Sequence, residues 1–219
     1  MYYLIEDSSK EQGSHRCYVG GRPRLPQGTP VPTCSLCGSE QTFMFQVTFE
    51  IGEWKDWVVA SFLCTSCVDE RHLIPEMPAL PLRGANPSNG FLESYQKNFR
   101  FLVFRDLPNL PEVESKAPVK LKTLAPVRKR PSRGVFAQVG GRPKWVLGDE
   151  SPDRRFVFLM NIFQDYHFEI EKSAPGQLKL GLSGAPEVSR HRYYKLFLAN
   201  SIYLYGNQDR QIYAFTQVD

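Results

Sequence analysis

The chain has 219 residues, enough for one large β domain or two modest ones around a sizeable core. Hydrophobic residues make up 42% of it, and no apolar run approaches the ~20 residues that a membrane-crossing helix needs, so a helical membrane protein is excluded and no membrane partner is expected. A formal net charge of +4 is too small to demand a nucleic-acid partner and does not remove one.

The first residues, Met1-Tyr2-Tyr3-Leu4-Ile5-Glu6-Asp7, carry no basic stretch and no extended apolar run. No signal peptide is evident, and a cytoplasmic location is expected. Cys17 is the odd one of five cysteines and reads as a small buried residue rather than a metal ligand. Val19-Gly20-Gly21-Arg22-Pro23 follows. A glycine pair reaches positive φ and close backbone approach, and the Arg-Pro step pushes the chain into an extended or turn form, so a tight turn is predicted here. The segment lacks both the lysine of a P-loop and the spacing of a dinucleotide fingerprint, and no phosphate site is expected.

Two CxxC knuckles come next, Cys34-Ser35-Leu36-Cys37 and Cys64-Thr65-Ser66-Cys67. Zinc takes four sulfurs tetrahedrally, and two cysteines three apart can grip one ion from a tight turn, for which Gly38 is suited. Between them Phe43, Phe45, Val47, Phe49 and Ile51 alternate with polar residues and Met44, the period of a half-buried strand. Trp57 to Leu63 reads as its partner, with Gly52-Glu53 in the connection. Such a hairpin returns Cys64 and Cys67 to the level of Cys34 and Cys37, so a zinc ribbon with Zn2+ as a structural ion is expected. Two disulfides or free thiols are the alternative. His72 can substitute for a ligand only if one sulfur is displaced.

Leu73 to Ser88 is proline-rich and reads as a loop, followed by a weak helix signal at Glu93 to Lys97 and a strand at Phe99 to Phe104. The stretch 116–134 contains Lys116, Lys120, Lys122, Arg128, Lys129, Arg130 and Arg133 with no acidic residue, together with Pro118, Pro126 and Pro131. It reads as an extended basic linker, with Arg128, Lys129 and Arg130 as candidate contacts to phosphate or to an acidic protein.

After it, Val139-Gly140-Gly141-Arg142-Pro143 repeats the earlier pentapeptide 120 residues on. Phe158 to Ile162 then matches Phe43 to Val47, placing Asn161 with Gln46, and Tyr203-Leu204-Tyr205 before Gly206-Asn207-Gln208-Asp209 is aligned with Ser61-Phe62-Leu63 before Cys64. Leu178 to Leu182 and Gln211 to Gln217 read as strands, and Glu187 to Lys195 as a weak helix. The expected fold is mostly β, with two tandem, duplicated sandwich-like units: 1–115 with the ribbon, the linker 116–134, and 135–219 without a metal site.

The order of GGRP, CxxCG, FMFQV, the second CxxC and the strand Asn98 to Arg105 resembles the programmed cell death protein 2 family. GGRPKW, FLMNI and IYLYGNQD in the second half resemble the bacterial YwqG-like family. The resemblance implies two packed β halves and a binding role, either as a client-specific chaperone or as an immunity-type protein directed at a toxin. The second half lacks CxxC, which favours the bacterial branch.

No GxSxG, HExxH, P-loop or dinucleotide fingerprint is present, and His15, His72, His167 and His191 are scattered. A site closed by four sulfurs leaves zinc no open position, so no catalytic residue is expected. The leading expectation is a non-catalytic protein-binding module. A nucleic-acid or ribosome-associated ribbon protein is second, and an enzyme whose residues meet only in space is third.

Overall fold

The computed structural model describes residues 1–7, 16–78 and 81–218. His15 and part of the expected loop at 73–88 lie outside the described residues. In the N-terminal half the strands are β1 (Tyr2–Asp7), β2 (Tyr18–Val19), β3 (Thr42–Thr48), β4 (Trp57–Leu63) and β5 (Phe99–Arg105), with one short helix, α1 (Asn89–Ser94), before β5. The second half continues with β6 (Lys122–Val127), β7 (Val135–Val139), β8 (Val157–Ile162), β9 (Phe168–Glu169), β10 (Leu178–Leu180), β11 (Pro186–Val188), β12 (Tyr193–Tyr194), β13 (Ser201–Gly206) and β14 (Ile212–Gln217).

The chain is mostly β, as expected, but its ten main strands form one sheet rather than two separate sandwiches. The order is β14-β13-β8-β7-β1-β6-β2-β3-β4-β5, every neighbouring pair is antiparallel, and the sheet curls until it is nearly a closed barrel. Tyr95, just after α1, bridges the seam: its hydroxyl donates to Ile212 O and accepts from Ala214 N, both on the outer edge of β14. Two otherwise open edge groups are thereby satisfied.

The repeat read from the sequence is present as a pseudo-twofold arrangement. Ile5 on β1 lies opposite Ala125 on β6, the same 120-residue interval that separates Gly20 from Gly140. Tyr18 pairs with Thr123 on one side of this axis and Gln138 with Tyr3 on the other, which are the same register seen from the two copies. Gln46 then sits opposite Tyr18 as Asn161 sits opposite Gln138, so their expected equivalence holds. Both copies bulge at the matching residue, Met44 in one and Leu159 in the other.

The two copies exchange their first strands. β1 precedes the N-terminal copy but pairs with β7 of the other, and β6 precedes the C-terminal copy but pairs with β2. Residues 116–134 are therefore not simply a linker: they supply a strand at the centre of the sheet. Pro126 is tolerated there because the N–H of Leu124, on the same side of the strand, already reaches past β2 to Cys17 O. The N–H that Pro126 lacks would point where the two-residue β2 has no partner to offer.

Each copy carries its own insertion, residues 64–98 between β4 and β5 in the first and 163–200 between β8 and β13 in the second. The helix expected at Glu187 to Lys195 is absent; β11 and β12 occupy the region, with Tyr193 and Tyr194 paired to Glu169 and Phe168. β-Favouring tyrosines beside a strand partner override the weak helical pattern. β3 is buried along its whole length because both faces are covered. Phe45 and Val47 face the main core, whereas Phe43 joins Tyr18, Leu25 and Phe62 in a smaller one.

The glycine pairs do the work predicted for them. Gly20 and Gly140 have φ of +63° and +64°, and each donates its N–H to the bulge residue of the next strand, Met44 O and Leu159 O, both at 2.9 Å. A Cβ on Gly20 would lie 2.3 Å from Lys120 O. The Arg-Pro end of each turn is held from the strand before it, by the Tyr18 hydroxyl on Arg22 O and the Gln138 amide on Arg142 O.

Candidate metal centre

The β3–β4 hairpin pairs Thr42 with Leu63 and so sets the start of one knuckle's exit strand beside the end of the other's entry strand. The first knuckle folds on itself, with Gly38 N donating to Cys34 O and Cys34 N to Ser39 O, each 2.8 Å, and Gly38 at φ +72°. The segment entering β5 supports both knuckles from behind: Ser35 N donates to Lys97 O and Cys64 N to Asn98 O. Thr42 and Thr65 hydroxyls meet at 2.9 Å beneath them.

All four sulfurs of Cys34, Cys37, Cys64 and Cys67 lie within 4.8 Å of one another. Individual separations are 3.7 Å (Cys34–Cys67), 3.6 Å (Cys37–Cys64) and 3.4 Å (Cys64–Cys67). Four thiolates around one zinc at ~2.3 Å would stand about 3.8 Å apart, so the set fits a tetrahedral ion with little movement. Disulfides, at ~2.05 Å, do not match, and all five cysteines are free thiols. The cluster can hold a metal ion, and the alternative of two disulfides is set aside.

The sulfurs differ in exposure. Cys34 and Cys64 are buried, Cys67 is half-buried and Cys37 is exposed. Without an ion, burial pushes the Cys64 thiol up to about 11, and burial again holds Cys67 higher still. A hydrogen bond from the Ser39 side chain draws Cys37 down to about 6. A divalent cation supplies the charge that lets all four ionise together, so proton release accompanies binding.

His72 is not in the sulfur cluster; its Nδ1 meets Asp69 Oδ1 at 2.7 Å. Cys17 is also apart, donating to Thr48 O, with burial raising its thiol to about 12. The registers shift the sequence alignment of the second half by one residue: Leu63 corresponds to Gly206, so Asn207-Gln208-Asp209-Arg210 stands where the second knuckle stands. There the turn closes on itself through Asn207 Oδ1 with Gln211 N and Asn207 Nδ2 with Gln211 Oε1.

Arg128, Lys129 and Arg130 are exposed beyond β6, with the Arg130 guanidinium 4.3 Å over the Phe163 ring. Other members of the basic stretch serve internal ion pairs. Lys122 bridges Glu6 at 3.0 Å and Glu169 at 2.8 Å, and Lys120 also meets Glu169. His167 and His191 both stack against Tyr193, at 4.1 and 4.9 Å between ring centroids, and burial lowers the pKa of His167.

Sequence reasoning missed a cavity of about 280 Å³ beside the cluster. Cys67, His72 and Asn98 wall one side; His191, Lys195 and Leu198 wall the other. Phe197 and Leu198 in this second wall, and Ala199 directly after them, all have positive φ, at 49°, 61° and 64°. Each such non-glycine residue costs about 1–3 kcal/mol. The cavity had no sequence signal because its walls come from the insertions of different copies. No protein-family model, curated protein or solved structure matches the chain, so the site stands on its geometry.

Proposed function

We propose that the protein is a non-catalytic protein-binding module whose four-cysteine centre holds a structural zinc ion. Four sulfurs fill the coordination shell of zinc and leave no position for water or substrate. Unpaired ligand thiols suit a reducing, cytoplasmic setting. The observation that carries the binding role is the β10–β11 hairpin, an isolated two-stranded unit that exposes Leu182 completely and Val188 largely. An isolated hairpin is marginal by itself, and exposed apolar side chains on one are an invitation to a partner. Its base is tied to the metal end of the molecule, since Leu178 N donates to Thr65 O inside the second knuckle.

The resemblance to the programmed cell death protein 2 and YwqG-like families supports the same reading, with a client protein or a toxin as the partner. Purified protein is expected to contain one equivalent of zinc. A stoichiometric partner from the native host should be retained by the wild type and lost by a Leu182→Asp, Val188→Asp double variant. Equal capture by both would remove the hairpin from the interface.

A second reading rests on the exposed run Arg128, Lys129 and Arg130, which suits phosphate contacts in a nucleic-acid or ribosome-associated protein. Its mark is RNA binding that weakens with salt and disappears when these three residues are neutralised. Absence of binding at low salt ends it.

A further inference from the structure

The cavity between the second knuckle and the inserted segment 163–200 has the features of a built site. Its volume, about 280 Å³, falls just under the ~300–1,000 Å³ of drug-sized pockets, so it suits a smaller ligand. Leu63, Val68, Leu73 and Phe197 give it an apolar lining.

The polar groups on its walls leave positive charge unspent. Asp69 is the carboxylate among the lining residues, and it is already engaged by His72 Nδ1 and by Arg71 N. Lys179 is engaged by Glu187 at 2.7 Å. Lys195, half-buried, has no carboxylate within ion-pair distance among the described residues, and its Nζ rests 6.0 Å from the Tyr193 ring. His191 stands on the same wall. A half-buried cation without a counter-charge selects for a ligand that brings one.

The wall is also preorganised. The His72 ring is oriented by Asp69, and Asn98 Nδ2 donates to His72 O at 2.8 Å. Opposite them, the three consecutive left-handed residues are pinned by Phe197, whose ring packs edge-on against Phe99 at 4.9 Å. Leu198 is thereby held half-exposed at the cavity, in a backbone form that favours glycine. Strain locked in by packing at a cavity wall is a property of ligand clamps.

We propose that this cavity binds a small organic anion, a carboxylate carried on an apolar body, with Lys195 as its counter-ion. The site goes beyond the protein-partner reading and does not depend on it.

The test titrates the metal-loaded full chain with benzoate, benzamide and inorganic phosphate while the imidazole resonances of His72 and His191 are followed by NMR. Benzoate is expected to shift both in a saturable way at millimolar concentration, and benzamide to bind about tenfold more weakly or worse. Lys195→Gln is expected to weaken benzoate by about tenfold while circular dichroism stays native. No saturable shift with benzoate, equal binding of benzamide, phosphate binding as well as benzoate, or an unchanged affinity in Lys195→Gln would each overturn the proposal.

Discussion

The two copies solve the same problem at the same place in different ways. After β4 the chain leaves the sheet for residues 64–98 and must return to β5; after β13 it returns to β14 within residues 207–211. A short return can be fixed by one amide pair, Asn207 with Gln211. A long one has a large closure entropy and too little local bonding, and four cysteines that can grip one ion supply the missing restraint. An ion held there would therefore compensate for an insertion; it is not a requirement of the β unit itself, whose second copy closes without the cysteines.

The sharpest way to break the comparison is to separate the copies. Fragments 1–115 and 116–219, produced apart, are expected to lack a cooperative unfolding transition, because β1 and β6 are each flanked by strands of the other copy. Mixing them should restore it. If both fragments fold alone and ignore each other, the exchange of first strands is wrong.

Next in size is the metal. Cys64→Ser, or a strong chelator, should release the ion and lower stability by about 4 kcal/mol or more, read by metal analysis and denaturant unfolding. Asn207→Ala at the equivalent turn should cost only about 1 kcal/mol and leave metal content unchanged. Equal losses at the two sites would erase the distinction drawn between them.

The seam comes between these. Tyr95→Phe removes a hydroxyl that serves two buried backbone groups of β14, and about 1–3 kcal/mol should be lost, with faster hydrogen exchange at Ala214 N. The smallest effect concerns Glu169, whose carboxyl is held below its usual range first by the hydrogen bond from Lys122. A depressed folded-state pKa contributes stability at neutral pH that disappears as pH falls through it. Since the Glu169 side chain is about half exposed and solvent screens its pairing, Glu169→Gln should remove less than about 1 kcal/mol, and only on the neutral side of that titration.

The metal ligands and the hairpin between them were legible in the sequence because both depend on local spacing: CxxC fixes two sulfurs at a turn, and Phe43 to Thr48 shows the period of a strand. The repeat was legible through GGRP, whose geometry tolerates little besides glycine. The strand exchange was not, since β1 and β6 would carry the same residues whichever copy they paired with. Pro126 and the basic neighbours of β6 read as linker because nothing local announces that the adjoining strand is only two residues long. The cavity walls were hidden for a similar reason, as His72 and Lys195 are joined only by tertiary folding.

The exchanged strands have a consequence for synthesis. As the chain leaves the ribosome, β2 emerges long before β6, the strand that must lie beside it, and β1 waits longer still for β7. The first copy cannot finish its sheet until residues 122–127 have been made, and β1 lacks its second neighbour until residues 135–139 have followed. Pairings so distant in sequence form slowly, and the open edges they leave are prone to association. The four cysteines, by contrast, all lie within the first 67 residues, so an ion bound by them would gather the N-terminal hairpin while the rest of the barrel is still being translated.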